Sequence, residues 1–95
     1  MANQPGQTEF NECLANFLRE KNAQGKSRAS IVSRELHDLA GATENRMPLA
    51  SIAMFRLALH QGGKAKLLSH PFPNGAGAKI EIEFDTADLP PSSAP

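Results

Sequence analysis

Apolar residues recur with helical spacing in the first part of the chain. They fall at i, i+3, i+4, i+7 and i+8 and are Phe10, Cys13, Leu14, Phe17 and Leu18. This stripe predicts an amphipathic helix from about Glu9 to Asn22, with Thr8 as its N-cap and Glu9 in a favourable first-turn position. The polar residues before it, 1–7, are expected to form a flexible lead.

A second, shorter stripe follows a polar linker that contains Gly25. Its apolar members are Ala29, Val32, Leu36, Leu39 and Ala40. The stripe predicts a helix from about Ser30 to Ala40, and Gly41 stands where a left-handed residue commonly follows a helix. The residues after Gly41 would then form the turn into a third helix.

The segment from Asn45 to Gln61 is predicted to be the central helix. Asn45 and Pro48 are typical of a helix start, and the pair Gly62-Gly63 is typical of a helix end. Apolar residues lie nearly all round this helix: Leu49, Ile52, Ala53, Met54, Phe55, Leu57, Ala58 and Leu59. A helix of this kind must be buried on more than one side. Either Met54 and Leu57 face a partner, or they pack beneath the hairpin or the first helix of the same chain.

The last third of the chain predicts a β-hairpin, the wing, from about Lys64 to Phe84. Apolar residues alternate with charged ones near its end and are Ile80, Ile82 and Phe84. Asn74-Gly75 is a strong signal for the hairpin turn. Two strands alone are marginally stable, so the apolar face is expected to pack on the helices. The acidic, Pro- and Ser-rich residues 85–95 are expected to form a disordered tail.

The order of three helices and a hairpin resembles the winged helix-turn-helix superfamily over residues 8–84. The resemblance rests on Gly41, on Asn45 and Pro48 at the helix entry, on the two glycines at its exit and on the hairpin turn. It implies an α+β fold in which three helices are followed by a two-stranded β-hairpin wing. In that superfamily the third helix enters the major groove of DNA, and the wing touches the flanking backbone or minor groove.

Composition indicates the class of protein but not its function. With 95 residues, of which 40% are hydrophobic and 21% charged, the chain has the size and make-up of one globular domain. No apolar run approaches the roughly 20 residues that span a bilayer, and the N-terminus lacks the basic start and apolar stretch of a signal peptide. A soluble cytoplasmic protein that does not contact membranes is therefore expected.

Charge is balanced overall but unevenly distributed. Ten basic and ten acidic residues cancel, yet all ten Lys and Arg and only four acids lie between Cys13 and Ile80. The other six acids lie in the two ends. Such asymmetry makes a neutral protein electrostatically two-sided, with a basic part that suits nucleic acid. The alternative is that the charges are scattered over a solvated surface, and only the fold decides between the two.

Candidate DNA contacts follow from carrying the resemblance onto this sequence. The start of the central helix would read bases, because Arg can grip guanine, and Asn adenine, with two hydrogen bonds. The base-reading candidates are Asn45, Arg46 and Ser51. Phosphate contacts would come from the start of the second helix and from the wing. These candidates are Arg28, Ser30, Lys64, Lys66 and Lys79.

Each candidate also has a purely structural interpretation. Arg46 can be a solvated turn residue, Arg56 can lie along the core with its charge in water, and Arg28 can simply solubilise a loop. The predicted wing tip, PFPNGAGA, carries no charge before Lys79, whereas many DNA-reading wings have Arg or Lys there.

No pattern in the chain indicates an enzyme, a metal site or a cofactor. Cys13 is the only cysteine and lies on the apolar stripe of the first helix, so a structural thiol is expected. The histidines, His37, His60 and His70, have no partners at metal-ligand spacing except the adjacent Asp38, which a helix would point about 100° away. The glycines form no phosphate-binding motif and no serine lies in a nucleophile elbow.

Two functional hypotheses follow. The first is a small sequence-specific DNA-binding protein, a homodimeric transcriptional regulator that binds double-stranded DNA. The second is a winged-helix protein-protein interaction module, such as an adaptor, an inhibitor or an assembly subunit, without DNA binding. The basic middle of the chain favours the first. The overall neutrality, the uncharged wing tip and the apolar central helix favour the second.

Overall fold

The computed structural model describes residues 6–42, 47–69 and 80–89. They form three α-helices and three β-strands, so the predicted α+β class is confirmed. The elements in order are α1 (Gln7–Ala23), β1 (Arg28–Val32), α2 (Ser33–Leu39), α3 (Met47–Gln61), β2 (Lys66–Ser69) and β3 (Glu81–Asp85). A short 3₁₀ turn, Gly62–Lys64, follows α3.

The three strands form one antiparallel sheet in the order β1-β3-β2. Strand β3 lies in the middle, and its Glu83 has Ser30 of β1 on one side and Lys66 of β2 on the other. The pairing of β2 with β3 is irregular between Leu67 and Ser69. The predicted wing strands therefore belong to a three-stranded sheet. The predicted turn at Asn74-Gly75 lies outside the described residues.

Strand β1 occupies the place of the predicted start of the second helix. The prediction of a helix from Ser30 is wrong, because Arg28–Val32 is extended and pairs with β3. Short apolar runs fit both spacings, but here Ile31 is buried and Ser30 exposed, which is the alternation of a strand. The β-branched side chains of Ile31 and Val32 also suit extended backbone. The helix begins only at Ser33 and ends, as predicted, just before a left-handed Gly41 with φ of 80°.

Helix α1 begins slightly earlier than predicted and has a different cap. Its N-cap is Gly6 rather than Thr8. The Glu9 carboxylate Oε1 accepts a hydrogen bond from the Gly6 backbone N–H at 2.8 Å. Glu9 thus satisfies one of the free donors at the helix start and also lies favourably against the helix dipole.

The core lies between the helices and the inward face of the sheet. Its buried apolar residues are Phe10, Leu14, Leu18, Ile31, Leu36, Ala50, Ala53, Met54, Leu57, Ile80, Ile82 and Phe84. The predicted inward face of β3 is confirmed, because Ile80, Ile82 and Phe84 are all buried. Met54 and Leu57 are also in this core, so they pack against their own chain rather than facing outward.

The residues after β3 are held against the end of α3. The Gln61 side-chain Nε2 donates to the carbonyl oxygens of Asp85 and Asp88, both at 2.8 Å, and its Oε1 accepts from the Asp85 N–H at 2.9 Å. The buried Thr86 hydroxyl donates to the Lys26 carbonyl at 2.6 Å. The fold therefore continues through Leu89, within the segment that the sequence assigns to a tail.

Candidate nucleic-acid interface

One continuous segment of the fold carries only positive charges. From Met47 to Ser69, which covers α3, the 3₁₀ turn and β2, there is no Asp or Glu. The segment carries Arg56, His60, Lys64 and Lys66, all of them exposed. In the sequence the acid-free stretch runs farther, from Asn45 to Ile80, and includes five Lys and Arg. We call Met47–Ser69 the acid-free segment.

The exit from α3 determines where the lysines of this segment lie. Gly62 has a φ of 61°, a left-handed conformation that lets the chain leave the helix sharply. The 3₁₀ turn that follows places Lys64 beside Asp88, with Nζ and Oδ2 3.1 Å apart. The other carboxylate oxygen of Asp88 lies 3.5 Å from Nε2 of His60. Such exposed pairs contribute only about 0–1 kcal/mol, so Lys64 can exchange Asp88 for a phosphate.

Arg28, predicted as a phosphate contact, is engaged within the fold. Its Nε lies 2.8 Å from Oε1 of Glu83, and its Nη2 donates a hydrogen bond to the Lys64 carbonyl oxygen. The pair is about one-third exposed. Arg28 therefore ties the start of β1 to β3 and to the turn after α3, and its charge is already matched by a carboxylate.

Ser30 and Lys66 lie on either side of the same carboxylate. Both are exposed and both are directly opposite Glu83 in the sheet register. Residues opposite each other in a sheet point to the same face, so the structure brings these two predicted contacts together. It does so around an acid, which makes this face of the sheet, including Lys66, less suited to phosphate than α3 and the turn after it.

Ser51, predicted to face bases, is buried. Its side chain is 3% exposed, and its hydroxyl oxygen has no hydrogen-bond partner among the described residues. Ser51 precedes Met54 by three positions on α3, so it shares the inward side of the helix. The structure thus removes Ser51 from the interface. The other base-reading candidates, Asn45 and Arg46, lie outside the described residues, as does Lys79 of the wing.

The outward face of α3 is apolar apart from Arg56 and, at its C-terminal end, His60. Ile52 is 40% exposed and Leu59 is 83% exposed, and Arg56 lies between them on the same side of the helix. Of the two alternatives for Met54 and Leu57, packing within the chain is the one observed, and the large apolar residues of α3 that remain exposed are Ile52 and Leu59. Their separation of seven residues, two helical turns, is the signal that places them on one face.

The described part of the chain offers no evident metal site or membrane span. Within residues 6–42, 47–69 and 80–89, no group of three or more His, Cys, Asp or Glu is placed to hold a metal ion. None of the helices in these ranges is both long and apolar enough to cross a membrane. His37 is buried, and its ring stacks on that of Phe10 with centroids 6.3 Å apart.

Comparison with known proteins finds no match for this chain among family models, curated proteins or solved structures. Its function is therefore inferred from its own residues.

Proposed function

We propose that this protein is a winged-helix DNA-binding protein that acts as a homodimeric transcriptional regulator. The order helix, strand, helix, helix, strand, strand, with the last strand in the middle of the sheet, supports the winged-helix assignment. In such a domain α3 and the β2–β3 hairpin are the elements that meet DNA. The acid-free segment covers α3 and β2 of these elements, whereas β3 carries Glu81, Glu83 and Asp85.

The observation that carries the proposal is the absence of carboxylates from Met47 to Ser69. DNA affinity depends first on neutralising phosphates, and any acid at the interface opposes it. The chain as a whole is neutral, so an acid-free stretch that coincides with α3 and β2 concentrates the positive charge where a duplex would lie. The neighbouring acids are Asp88, which is half-buried beside Lys64 and His60, and Glu83, which lies opposite Lys66 and pairs with Arg28.

The outward face of α3 is compatible with a major groove. Arg56 is exposed there and has the length and geometry to bind a phosphate or the O6 and N7 atoms of guanine. Ile52 and Leu59 can make apolar contacts with thymine methyl groups, which line the same groove. Arg46 and Asn45 remain predicted base contacts just before this helix.

A dimer is part of the proposal because one small domain has few contacts with which to bind. A twofold pair would read two half-sites separated by about 34–36 Å, one helical turn of DNA. The two copies would double the number of phosphate contacts and thereby steepen the dependence of affinity on salt.

A binding titration with labelled duplex DNA tests the proposal. The affinity for random-sequence duplex should fall steeply between about 50 and 200 mM salt, as phosphate neutralisation requires. Arg56→Ala should weaken binding about five- to 100-fold and lower the salt slope by about one if Arg56 contacts phosphate. Arg19→Ala is the matched control, because Arg19 is exposed on α1, where it donates to Asn16 at 2.8 Å.

Arg46→Ala separates base reading from phosphate contact. It should weaken binding to the cognate site more than binding to random DNA. Equal loss on both would make Arg46 a phosphate contact, and no loss would exclude it from the interface. A protein that binds no duplex at low salt and sediments as a monomer would contradict the whole proposal.

A protein-protein interaction module is the second candidate, and Ile52 and Leu59 favour it. Two large apolar side chains on the outward face of one helix suit a protein partner as well as a DNA groove. The two functions differ in their response to charge. Leu59→Lys should preserve or strengthen DNA binding, whereas it should weaken an apolar protein interface.

A further inference from the structure

A groove lies between α1 and the C-terminal end of α2. Its volume is about 390 Å³, and its apolar lining consists of Cys13, Phe17, Leu39 and Ala40. Leu39 is 53% exposed, while Cys13, Phe17 and Ala40 are half-buried. Large apolar side chains left open in a concave surface mark a binding surface more often than scattered apolar residues do. This acidic groove, as we call it for the charges described next, is separate from the acid-free segment.

Three exposed carboxylates line the same groove. They are Glu9, Glu12 and Glu20, and no Lys or Arg is among the lining residues. From Glu9 to Glu20 the helix rises about 16 Å, or three turns. Two cations stand nearby on α1: Arg19 donates to Asn16, and Lys21 Nζ lies 5.3 Å from the centre of the Phe17 ring. Both are at the C-terminal end of the groove, so the described residues that line its N-terminal half carry only acidic charge.

The acids decide what can occupy the apolar lining. A second copy that packed groove to groove would add three more carboxylates and, from α1, the two cations Arg19 and Lys21, so it matches the charge of the groove less well than a basic partner does. A small anionic ligand is opposed by the same three carboxylates. An amphipathic helix is favoured, because it can lay apolar side chains on Phe17 and Leu39 and place cations beside the glutamates.

We propose that the acidic groove docks a basic amphipathic helical segment of another protein. The segment would carry large apolar side chains at i, i+3 or i+4 and i+7, flanked by Lys or Arg. Apolar burial would supply affinity, and the glutamates would supply the preference for a cationic partner. None of the groove residues belongs to Met47–Ser69, so this proposal and DNA binding fail or succeed independently.

Cys13 provides a reporter for occupancy, because it is the only cysteine in the chain and lines the groove. The probe is a synthetic helical peptide with leucines on one face flanked by lysines, compared with the same peptide carrying glutamates in place of the lysines. Modification of Cys13 by a thiol reagent at alkaline pH is followed with and without each peptide. The lysine peptide should protect Cys13, and the glutamate peptide should bind about tenfold more weakly.

Charge reversal in the protein tests the cause of the preference. The double variant Glu12→Lys/Glu20→Lys should lose the preference for the lysine peptide and favour the glutamate peptide. Glu35→Lys is the control, because Glu35 is exposed on α2 and does not line the groove. Leu39→Ser should weaken both peptides, since it removes apolar contact rather than charge. All four positions are exposed, and circular dichroism verifies that the variants are folded.

Three results would overturn the proposal. Protection of Cys13 by neither peptide would mean that the groove docks no such helix. Equal binding of both peptides by the wild-type protein would remove the role of the glutamates. Protection of Cys13 that appears without peptide and grows with protein concentration, together with self-association in sedimentation, would make a second copy the occupant.

Discussion

Helices α1 and α3 have similar inward faces and opposite outward faces. Both are packed into one core, α1 through Phe10, Leu14 and Leu18 and α3 through Ala50, Ala53, Met54 and Leu57. Outward, α1 presents acids and lines an apolar groove, whereas α3 presents an arginine between two exposed apolar residues and has no acid at all. The inward faces therefore account for the fold, and the outward faces are the basis of the two proposed binding surfaces.

This difference also explains how a neutral protein can have strong electrostatic preferences. Ten positive and ten negative charges cancel in the sum but not over the surface. Potentials near a protein depend on local charge within about 10 Å at ordinary salt, so a distant acid does not cancel a nearby lysine. An acidic groove and an acid-free segment can thus select cationic and anionic partners on the same small domain.

The largest expected effect separates the inward from the outward face of α3. Met54→Ala should destabilise the fold by about 2–5 kcal/mol, because Met54 is fully buried and its truncation leaves a cavity. Leu59→Ala should change stability by less than about 0.5 kcal/mol, because Leu59 is 83% exposed. Urea denaturation monitored by circular dichroism measures both. Equal losses of unfolding free energy in the two variants would mean that Leu59 is buried in solution, for example against a second copy of the chain.

Phe10→Ala extends this test to α1. This substitution should lower the free energy of unfolding by about 3–5 kcal/mol, because Phe10 is fully buried and stacks on His37. Glu12→Ala, on the outward face of the same helix, should leave stability nearly unchanged. A large loss at Glu12 would contradict the division of α1 into a core face and a binding face.

The next effect concerns the junction between α3 and the residues after β3. Gln61→Ala should destabilise the fold by about 1–3 kcal/mol, because it leaves the Asp85 N–H and two carbonyl oxygens without their partner. Gln24→Ala is the control, since Gln24 is exposed after α1. Amide hydrogen exchange of Asp85 should accelerate in the first variant only. Unchanged exchange there would show that Gln61 does not hold this segment.

A smaller effect concerns Asp88, an acid that lies beside the C-terminal end of α3 and the turn after it. Asp88→Asn should tighten DNA binding about two- to fivefold, because it frees the exposed Lys64 and His60 from a half-buried carboxylate. Asp38→Asn removes an exposed carboxylate, 3.7 Å from Arg34 on α2, and should have little effect. Equal tightening in both would mean that overall charge, rather than the position of Asp88, controls DNA affinity.

The smallest effect is on the thiol in the acidic groove. Partial burial raises the pKa of Cys13 above its ordinary value. The rate of its alkylation should therefore rise at higher pH in the folded protein than in the chain unfolded by urea. The thiol of Cys13 loses its proton more readily in the unfolded chain than in the folded protein. Its contribution to the free energy of unfolding is therefore fully present at pH values below the unfolded pKa, and it is lost as pH rises through the folded pKa. Coincident pH profiles would show that the groove leaves Cys13 fully solvated.

The periodicity of the sequence predicts the inward residues well and the tertiary contacts poorly. The stripe at Phe10, Leu14 and Leu18 and the alternation at Ile80, Ile82 and Phe84 both reappear as core. These patterns suffice because each follows from local geometry and from the need to bury apolar surface.

The missed features depend on contacts between distant residues. The sequence pattern does not predict strand β1, because Ala29 and Val32 also fit a helical stripe. Only the pairing of this segment with β3 favours the strand. The sequence gives no sign that Arg28 has an ion-pair partner within the chain, because that partner, Glu83, lies 55 positions away. The acidic groove exists only because α2 ends beside α1, which no local pattern predicts.

Heteronuclear NMR of the labelled protein, titrated with a duplex DNA at low salt, tests the central claim most directly. If the acid-free segment binds DNA, amide shifts should change mainly within Met47–Ser69 and hardly at all for the residues of the acidic groove on α1. Shift changes concentrated at Glu9, Glu12 and Glu20, or no changes anywhere at low salt, would contradict that claim.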